Sequence, residues 1–161
     1  MEDSMKHRQQ KPLKGYQSGI AGEYFVAAEL ARMGYVASLT LKNTAGIDVL
    51  ASNASGSRTV AIQVKTSQGT KPIWALGSKA ETVRSPKLFY VFVTLGPRGS
   101  APEFYVVPSA VVARHIKRRH AVWLATPGKF GKKHNDNPLR IFQDEKKHYL
   151  NKWDRLKLGP S

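Results

Sequence analysis

Gly46-Ile47-Asp48-Val49-Leu50-Ala51 and Thr59-Val60-Ala61-Ile62-Gln63-Val64-Lys65 are two apolar, β-branched runs flanking the polar stretch Ser52-Asn53-Ala54-Ser55-Gly56-Ser57. The pattern predicts a β-hairpin with a loop of several residues. Side chains alternate faces along a strand, so Val60, Ile62 and Val64 share one face and Ala61, Gln63 and Lys65 the other. The first face packs. The second lifts an amide and an ammonium beside the first strand, which Asp48 opens. A carboxylate, an amide oxygen and an ammonium at one sheet edge suit a divalent cation and a phosphate. Mg²⁺ takes oxygen ligands, with few carboxylates and the substrate phosphate among them. A lysine beside it stabilises developing charge or positions the attacking water.

Upstream, the spacing predicts a helix from about Gly19 to Met33, capped by Gln17 or Ser18 and stopped at Gly34. Glu23, Val26, Ala27 and Leu30 fall on one stripe. A carboxylate on an apolar stripe is costly without a partner. Glu23 either reaches water at the stripe edge or faces Asp48 as a metal or metal-water ligand, and the Asp48, Gln63 and Lys65 group favours the second. Tyr35 to Leu41 reads as a strand, leading into the loop Lys42-Asn43-Thr44-Ala45-Gly46. Gly46 there is either a turn glycine or a place where a phosphate backbone comes close.

The chain has 161 residues, 26 Lys and Arg against 11 Asp and Glu, and a formal charge of +15. That balance points to a polyanion, nucleic acid ahead of an anionic membrane. A hydrophobic content of 41% is enough for one globular domain. There is no cysteine, which excludes disulfides and thiolate zinc sites and fits a cytoplasmic setting. No run is long enough to span a membrane. Residues 1–14 are charged, aperiodic and read as a flexible basic arm.

Taken in order, Gly22-Glu23, Gly34-Tyr35, Gly46-Ile47-Asp48 and Gln63-Val64-Lys65 resemble the PD-(D/E)XK nuclease superfamily, and within it the archaeal-type Holliday junction resolvases. The resemblance covers roughly the first half of the chain. It implies a restriction-endonuclease-like α/β fold, a mixed central sheet flanked by helices, and Mg²⁺-dependent phosphodiester hydrolysis, with Mn²⁺ as a substitute. Asp48 matches the first motif aspartate, Lys65 the motif lysine, and Glu23 the helix glutamate of the resolvase-like branch. Gln63 stands where the pattern usually has Asp or Glu, so one negative charge is missing. By this resemblance Asp48 ligates the cation and Gln63 lends a carbonyl oxygen. The Val64 carbonyl is a further ligand, Glu23 holds a metal-bound water, and Lys65 stabilises the pentavalent phosphate. The partner is DNA, with RNA as a second possibility, and many such enzymes dimerise. The alternative is a nucleic-acid-binding module on the same fold that has lost catalysis.

The remainder reads as support. Thr66 and Ser67 are candidate phosphate contacts or a solvated loop, as is Gln68; Trp74 either stacks on a base or packs. Leu88 to Leu95 is an almost continuous apolar strand, expected at the centre of a sheet. Glu103 to Val107 forms the next strand. Ser109 is expected to cap a helix from Ala110 to Arg119, whose Lys117, Arg118 and Arg119 sit in the last turns and suit either the helix dipole or a phosphate backbone. Val122-Trp123-Leu124 is expected to pack. Residues 15–125 form the expected core, and 126–161 a basic loop and helical extension of the same domain. Lys42, Asn43, Lys129, Lys132 and Lys133 complete the expected nucleic-acid contacts. Asp144 to Leu158 reads as a helix with Tyr149, Trp153 and Leu156 on one stripe, core or dimer interface.

Overall fold

The computed structural model describes residues 12–41 and 46–159. It opens with helix α1 (Gly15–Arg32), followed by strands β1 (Val36–Leu39), β2 (Val49–Ser52) and β3 (Thr59–Ser67). Strands β4 (Ile73–Gly77), β5 (Leu88–Thr94) and β6 (Glu103–Pro108) lead to helix α2 (Ser109–Ala125) and strand β7 (Leu139–Gln143). Among the described residues five strands form one sheet in the order β1-β2-β3-β5-β6, and β4 pairs with β7 in a separate ribbon. Only β3 and β5 are parallel within the large sheet; its other neighbours are antiparallel. A parallel pair needs a long crossover. Here β4 and a short 3-10 turn at Ser78–Glu81 supply it.

Two cores lie on the two faces of the sheet. On one, Val26 and Leu30 of α1 meet Val49, Ile62 and Val64, with Leu156 and Leu158 of the C-terminal segment beside them. On the other, Tyr90, Phe92 and Tyr105 meet Val112 and Ile116 of α2 and Trp74 and Phe142 of the ribbon. β5 is buried on both sides, which is why its run is almost continuously apolar. Trp74 belongs to this second core: its indole N–H donates to the Val93 carbonyl at 2.9 Å, so it packs and offers no face to a base. Arg140 is also buried, its charge answered by Glu81 and by the Asn137 carbonyl at 2.5 Å.

Several expected boundaries move. α1 begins at Gly15, because the Gln17 side chain accepts the Lys14 N–H at 3.1 Å and closes the first turn earlier than Ser18 would. β3 extends through Ser67, so Thr66 and Ser67 are strand residues. α2 is capped by Pro108, and the Ser109 hydroxyl is instead tied to Ser85 by two bonds of 2.9 and 3.0 Å. The helix continues to Ala125, so Lys117, Arg118 and Arg119 sit in its middle and the dipole argument does not apply to them. Val122 does not pack, being 59% exposed, whereas Trp123, 36% exposed, stacks with His120 and His134.

The expected helix from Asp144 to Leu158 is absent. The Asp144 carboxylate accepts the N–H groups of His148 and Tyr149 at 3.0 and 2.8 Å, which folds the chain into a turn. Lys147, Asn151 and Lys157 take positive φ of 54°, 52° and 53°, which no helix passes through. A 3-10 turn, Trp153–Leu156, is the helical remnant. Trp153 rests on Phe104 at 5.4 Å, and Leu156 is buried, so this stripe helps seal the chain's own core.

This C-terminal turn is pinned to β6 by Lys147 Nζ and Glu103 Oε1 at 2.6 Å, with Tyr105 donating to the same carboxylate at 2.7 Å. The lysine's bond, then the tyrosine's, hold the Glu103 carboxyl below its usual range. A carboxyl with a lowered folded pKa stabilises above the ordinary carboxylate range, and loses that contribution as pH falls through the folded value. Both groups are partly exposed, so the effect stays within about 1 kcal/mol. Lys147→Met is expected to lower stability in denaturant melts at neutral pH by that amount, and to match wild type once Glu103 is protonated in both. A deficit that persists in acid would assign the loss to packing.

Candidate active site

Asp48 stands one residue before β2 and grips β3 twice. Its N–H donates to the Ile62 carbonyl at 2.9 Å, and its Oδ2 accepts the Val64 N–H at 2.7 Å. The two bonds bracket Gln63. The cause is a ladder that stops early, since β2 pairs with β3 only as far as Val49 opposite Ile62. Bonds from Ala61 N–H to Lys87 and from Leu95 N–H to Ser67 turn the odd-numbered backbone groups of β3 toward β5. Backbone groups alternate sides along a strand. Val64 therefore turns its N–H and carbonyl toward β2, past the point where β2 has ended. The Asp48 carboxylate supplies the acceptor that a longer β2 would have given, and the Val64 carbonyl stands at the same open edge.

Thr40 fixes Asp48 from the other side. Its N–H donates to the Asp48 carbonyl at 3.0 Å and its hydroxyl to the Ile47 carbonyl at 2.5 Å. Glu23, half-buried on α1, shares with Asp48 a cleft of about 340 Å³ whose walls also include Tyr16, Ile20 and Leu41. Tyr16 and Leu41 are 62% and 86% exposed, and sequence reasoning did not single them out. Tyr16, Ile20 and Glu23 are spaced by four and three residues, so extending the helix back to Gly15 would have placed Tyr16 over Glu23.

Gln63 and Lys65 do not line that cleft. Each is half-buried and in register with Tyr90 and Phe92, on the face of the sheet away from α1. The group thus wraps around an edge: Glu23 comes from the α1 face, Gln63 and Lys65 leave from the other, and Asp48 sits between them where β3 has lost its neighbour. Its oxygen donors are two carboxylates, an amide and a backbone carbonyl, a set that suits a hard cation such as Mg²⁺. Among the described residues no three His, Cys, Asp or Glu side chains gather as a metal site.

The other expected contacts divide. Thr66 lies beneath Gly22 of α1, and its hydroxyl and that of Ser67 are shut off from solvent, so neither reaches a phosphate. Gln68 is engaged with the Leu13 backbone by bonds of 2.6 and 2.8 Å, tying the approach to α1 to the end of β3. Lys117, Arg118, Arg119, Lys129, Lys132 and Lys133 are exposed. Lys42 and Asn43 lie outside the described residues. No helix among the described residues is long and apolar enough to cross a membrane.

Residues 18–94 match the Mrr_cat family model, described as a restriction endonuclease. The matched span holds Glu23, Asp48, Gln63 and Lys65 together. That stretch of the chain is similar to the restriction endonuclease family. The fold agrees: a bacterial homing endonuclease, I-Ssp6803I, superposes with a TM-score of 0.53 at 14% identity, over 90% of this chain and 91% of that one. The Holliday junction resolvase Hjc of Archaeoglobus fulgidus gives 0.50 at 14% identity, over 86% of this chain and 93% of that one. Both likenesses concern the fold. No curated protein matches the chain. The resemblance to the PD-(D/E)XK superfamily, and the restriction-endonuclease-like mixed sheet it implied, therefore hold.

Proposed function

We propose that this chain is a metal-dependent nuclease that hydrolyses phosphodiester bonds of DNA at the open edge of β3. The observation that supports it most is the placement of Asp48: a half-buried carboxylate, bonded to the Val64 N–H at 2.7 Å, in a stretch similar to the restriction endonuclease family. Asp48 would supply the charged oxygen to a Mg²⁺ or Mn²⁺ ion, Gln63 and the Val64 carbonyl neutral ones, and Glu23 a contact through water. Such an ion, when bound, draws charge from the phosphate and makes water a better nucleophile. Lys65 holds its ammonium where negative charge builds on the phosphoryl oxygens. Water adds to phosphorus, one ester P–O bond breaks, and the departing oxygen takes up a proton.

Lys117, Arg118, Arg119, Lys129, Lys132 and Lys133, with Lys42 and Asn43, would hold the backbone. RNA is the second substrate class, and a homodimer the arrangement suited to cutting two strands. Residues 15–125 serve as the core and 126–161 as an extension of one domain, since β7 pairs with β4 and Leu156 joins the first core.

One observation favours a second reading, an inactive nucleic-acid-binding module: Gln63 leaves the site one charge short. Labelled duplex, single-stranded and four-way-junction DNA, incubated with Mg²⁺ or Mn²⁺, separate the two. Cutting by wild type, abolished in Lys65→Ala with binding retained, supports the nuclease. Binding without cutting by wild type, and cutting acquired by Gln63→Glu, would move the inactive module ahead.

A further inference from the structure

A second concavity, of about 970 Å³, lies between α2 and β7 and shares no residue with the Glu23–Asp48 cleft. Arg114, Arg118 and Arg119 line it, and no carboxylate does. Arg114 and Arg118 are one turn apart, so they project along one side of the helix. Its apolar surface is open to solvent: Val122 is 59% exposed, Leu139 51% and Trp123 36%. Trp123 stacks with the His120 and His134 rings, whose centroids lie 5.3 and 4.1 Å from its own. His115, on the floor, has a buried Nε2 without a hydrogen-bond partner, and burial, then Arg119, push its pKa down. The floor is therefore uncharged and the cations stand at the rim. Phe142 stacks on Phe92 at 4.4 Å and meets His115 at 4.6 Å, and Phe92 is the ladder partner of Lys65. The groove thus backs onto the strand pair that carries the proposed active site.

Guanidinium groups call for phosphates or carboxylates, and exposed apolar walls call for flat, weakly hydrated surface. A duplex keeps its bases stacked inside and offers such a groove only phosphates and sugar edges. A single strand carries both features, a charged backbone with bases free to turn into an apolar slot. We propose that the α2–β7 groove binds single-stranded nucleic acid, with Arg114 and Arg118 on successive phosphates and bases against Val122 and Leu139. The choice of nucleic acid over an acidic peptide rests on the nuclease reading; the groove itself does not. A nuclease so equipped would hold a substrate with an unpaired flank.

The test is fluorescence anisotropy in EDTA, where nothing is cut. The probes are a labelled oligothymidylate, a duplex of equal length, and poly-glutamate as competitor. Variants are Arg114→Ala with Arg118→Ala, and separately Leu139→Ser. All three residues are exposed, and thermal melts confirm folding. The arginine pair is expected to weaken single-strand binding by about tenfold or more and to flatten its salt slope by about 1.4, two single-strand phosphates' worth, while duplex affinity, to which Arg118 also contributes, falls by a clearly smaller factor of about threefold. Leu139→Ser is expected to weaken single-strand binding about threefold to tenfold with no change in slope. Equal losses for single strand and duplex would reduce the groove to a general basic patch and overturn the proposal. So would unchanged single-strand binding, or competition by poly-glutamate that disappears in the arginine variant. Wild type, assayed separately with Mg²⁺ or Mn²⁺, serves as the reference: single-strand binding intact in a wild-type protein that cuts nothing sinks the nuclease reading and leaves the groove standing. Cutting that survives loss of the groove does the reverse.

Discussion

Asp48→Asn is expected to abolish cleavage while leaving the fold and nucleic-acid binding as they are. The Val64 N–H needs an acceptor at 2.7 Å, because β2 no longer provides one. An asparagine carbonyl oxygen fills that place, and the Asp48 N–H to Ile62 bond is a backbone matter that the side chain does not enter. What the substitution removes is charge. With Gln63 already neutral, the site would fall from two carboxylates to one. A single fixed charge of this kind is worth roughly 10²–10³ in rate, or about 2.7–4 kcal/mol of transition-state stabilisation. Asp48→Ala mixes two effects: the same lost charge, and an orphaned Val64 N–H costing about 1–3 kcal/mol of stability. Comparing the two by cleavage rate and by denaturant midpoint separates chemistry from scaffolding. Equal cutting by wild type and Asp48→Asn would remove Asp48 from the site altogether. Equal stability of the alanine and asparagine variants would mean that the β3 edge does not depend on the carboxylate.

How much of this was readable beforehand follows from how local each feature is. The alternation of Val60, Ile62 and Val64 against Gln63 and Lys65 needs only the period of a strand, and the hairpin and its faces came out as expected. β5, apolar at nearly every position, needed only composition. The bracketing of Gln63 by Asp48 was not legible, because it depends on where β2 stops relative to β3, and register is set by packing across the sheet. The same limit hid the fate of Thr66, which as a sequence residue is a polar group after a lysine and in the fold lies under a helix. The C-terminal failure had another cause. Tyr149, Trp153 and Leu156 keep helical spacing by coincidence, while Asp144 captures two backbone N–H groups that a helix would have needed. The groove between α2 and β7 joins residues far apart in sequence, and only the extension of α2 past Arg119 builds its wall.

Gly22 tests whether the helix glutamate depends on how closely α1 lies on the sheet. Gly→Ala inside a helix ordinarily stabilises by about 0.5–1 kcal/mol, since alanine loses less backbone entropy. Gly19 meets that rule: nothing lies within 4 Å of a Cβ built there, and Gly19→Ala is expected to raise stability by that amount. At Gly22 the sign reverses. A Cβ would sit 2.0 Å from Thr66 Oγ1, closer than atoms can approach, and 3.1 Å from Thr66 Cβ, tighter than ordinary contact. Neither partner yields cheaply, because Thr66 is β-branched and fixed in the strand after Lys65. The helix has to lift, at a cost of about 3 kcal/mol or more. Glu23 is the next residue, so the same lift carries it away from Asp48, and a displacement of about 1 Å is enough to lose 10²-fold in rate. Adding Thr66→Ala to Gly22→Ala removes the 2.0 Å contact but keeps the one at 3.1 Å, so partial recovery of both stability and cleavage is expected. Thr66→Ala alone is expected to be nearly neutral, because the hydroxyl it removes is buried without a hydrogen-bond partner. The coupling between the two substitutions, measured as a double-mutant cycle in stability and again in cleavage rate, is the deciding quantity. Coupling in both ties the height of α1 to the chemistry at Glu23. Coupling in stability with none in rate would mean that Glu23 takes no part in cleavage.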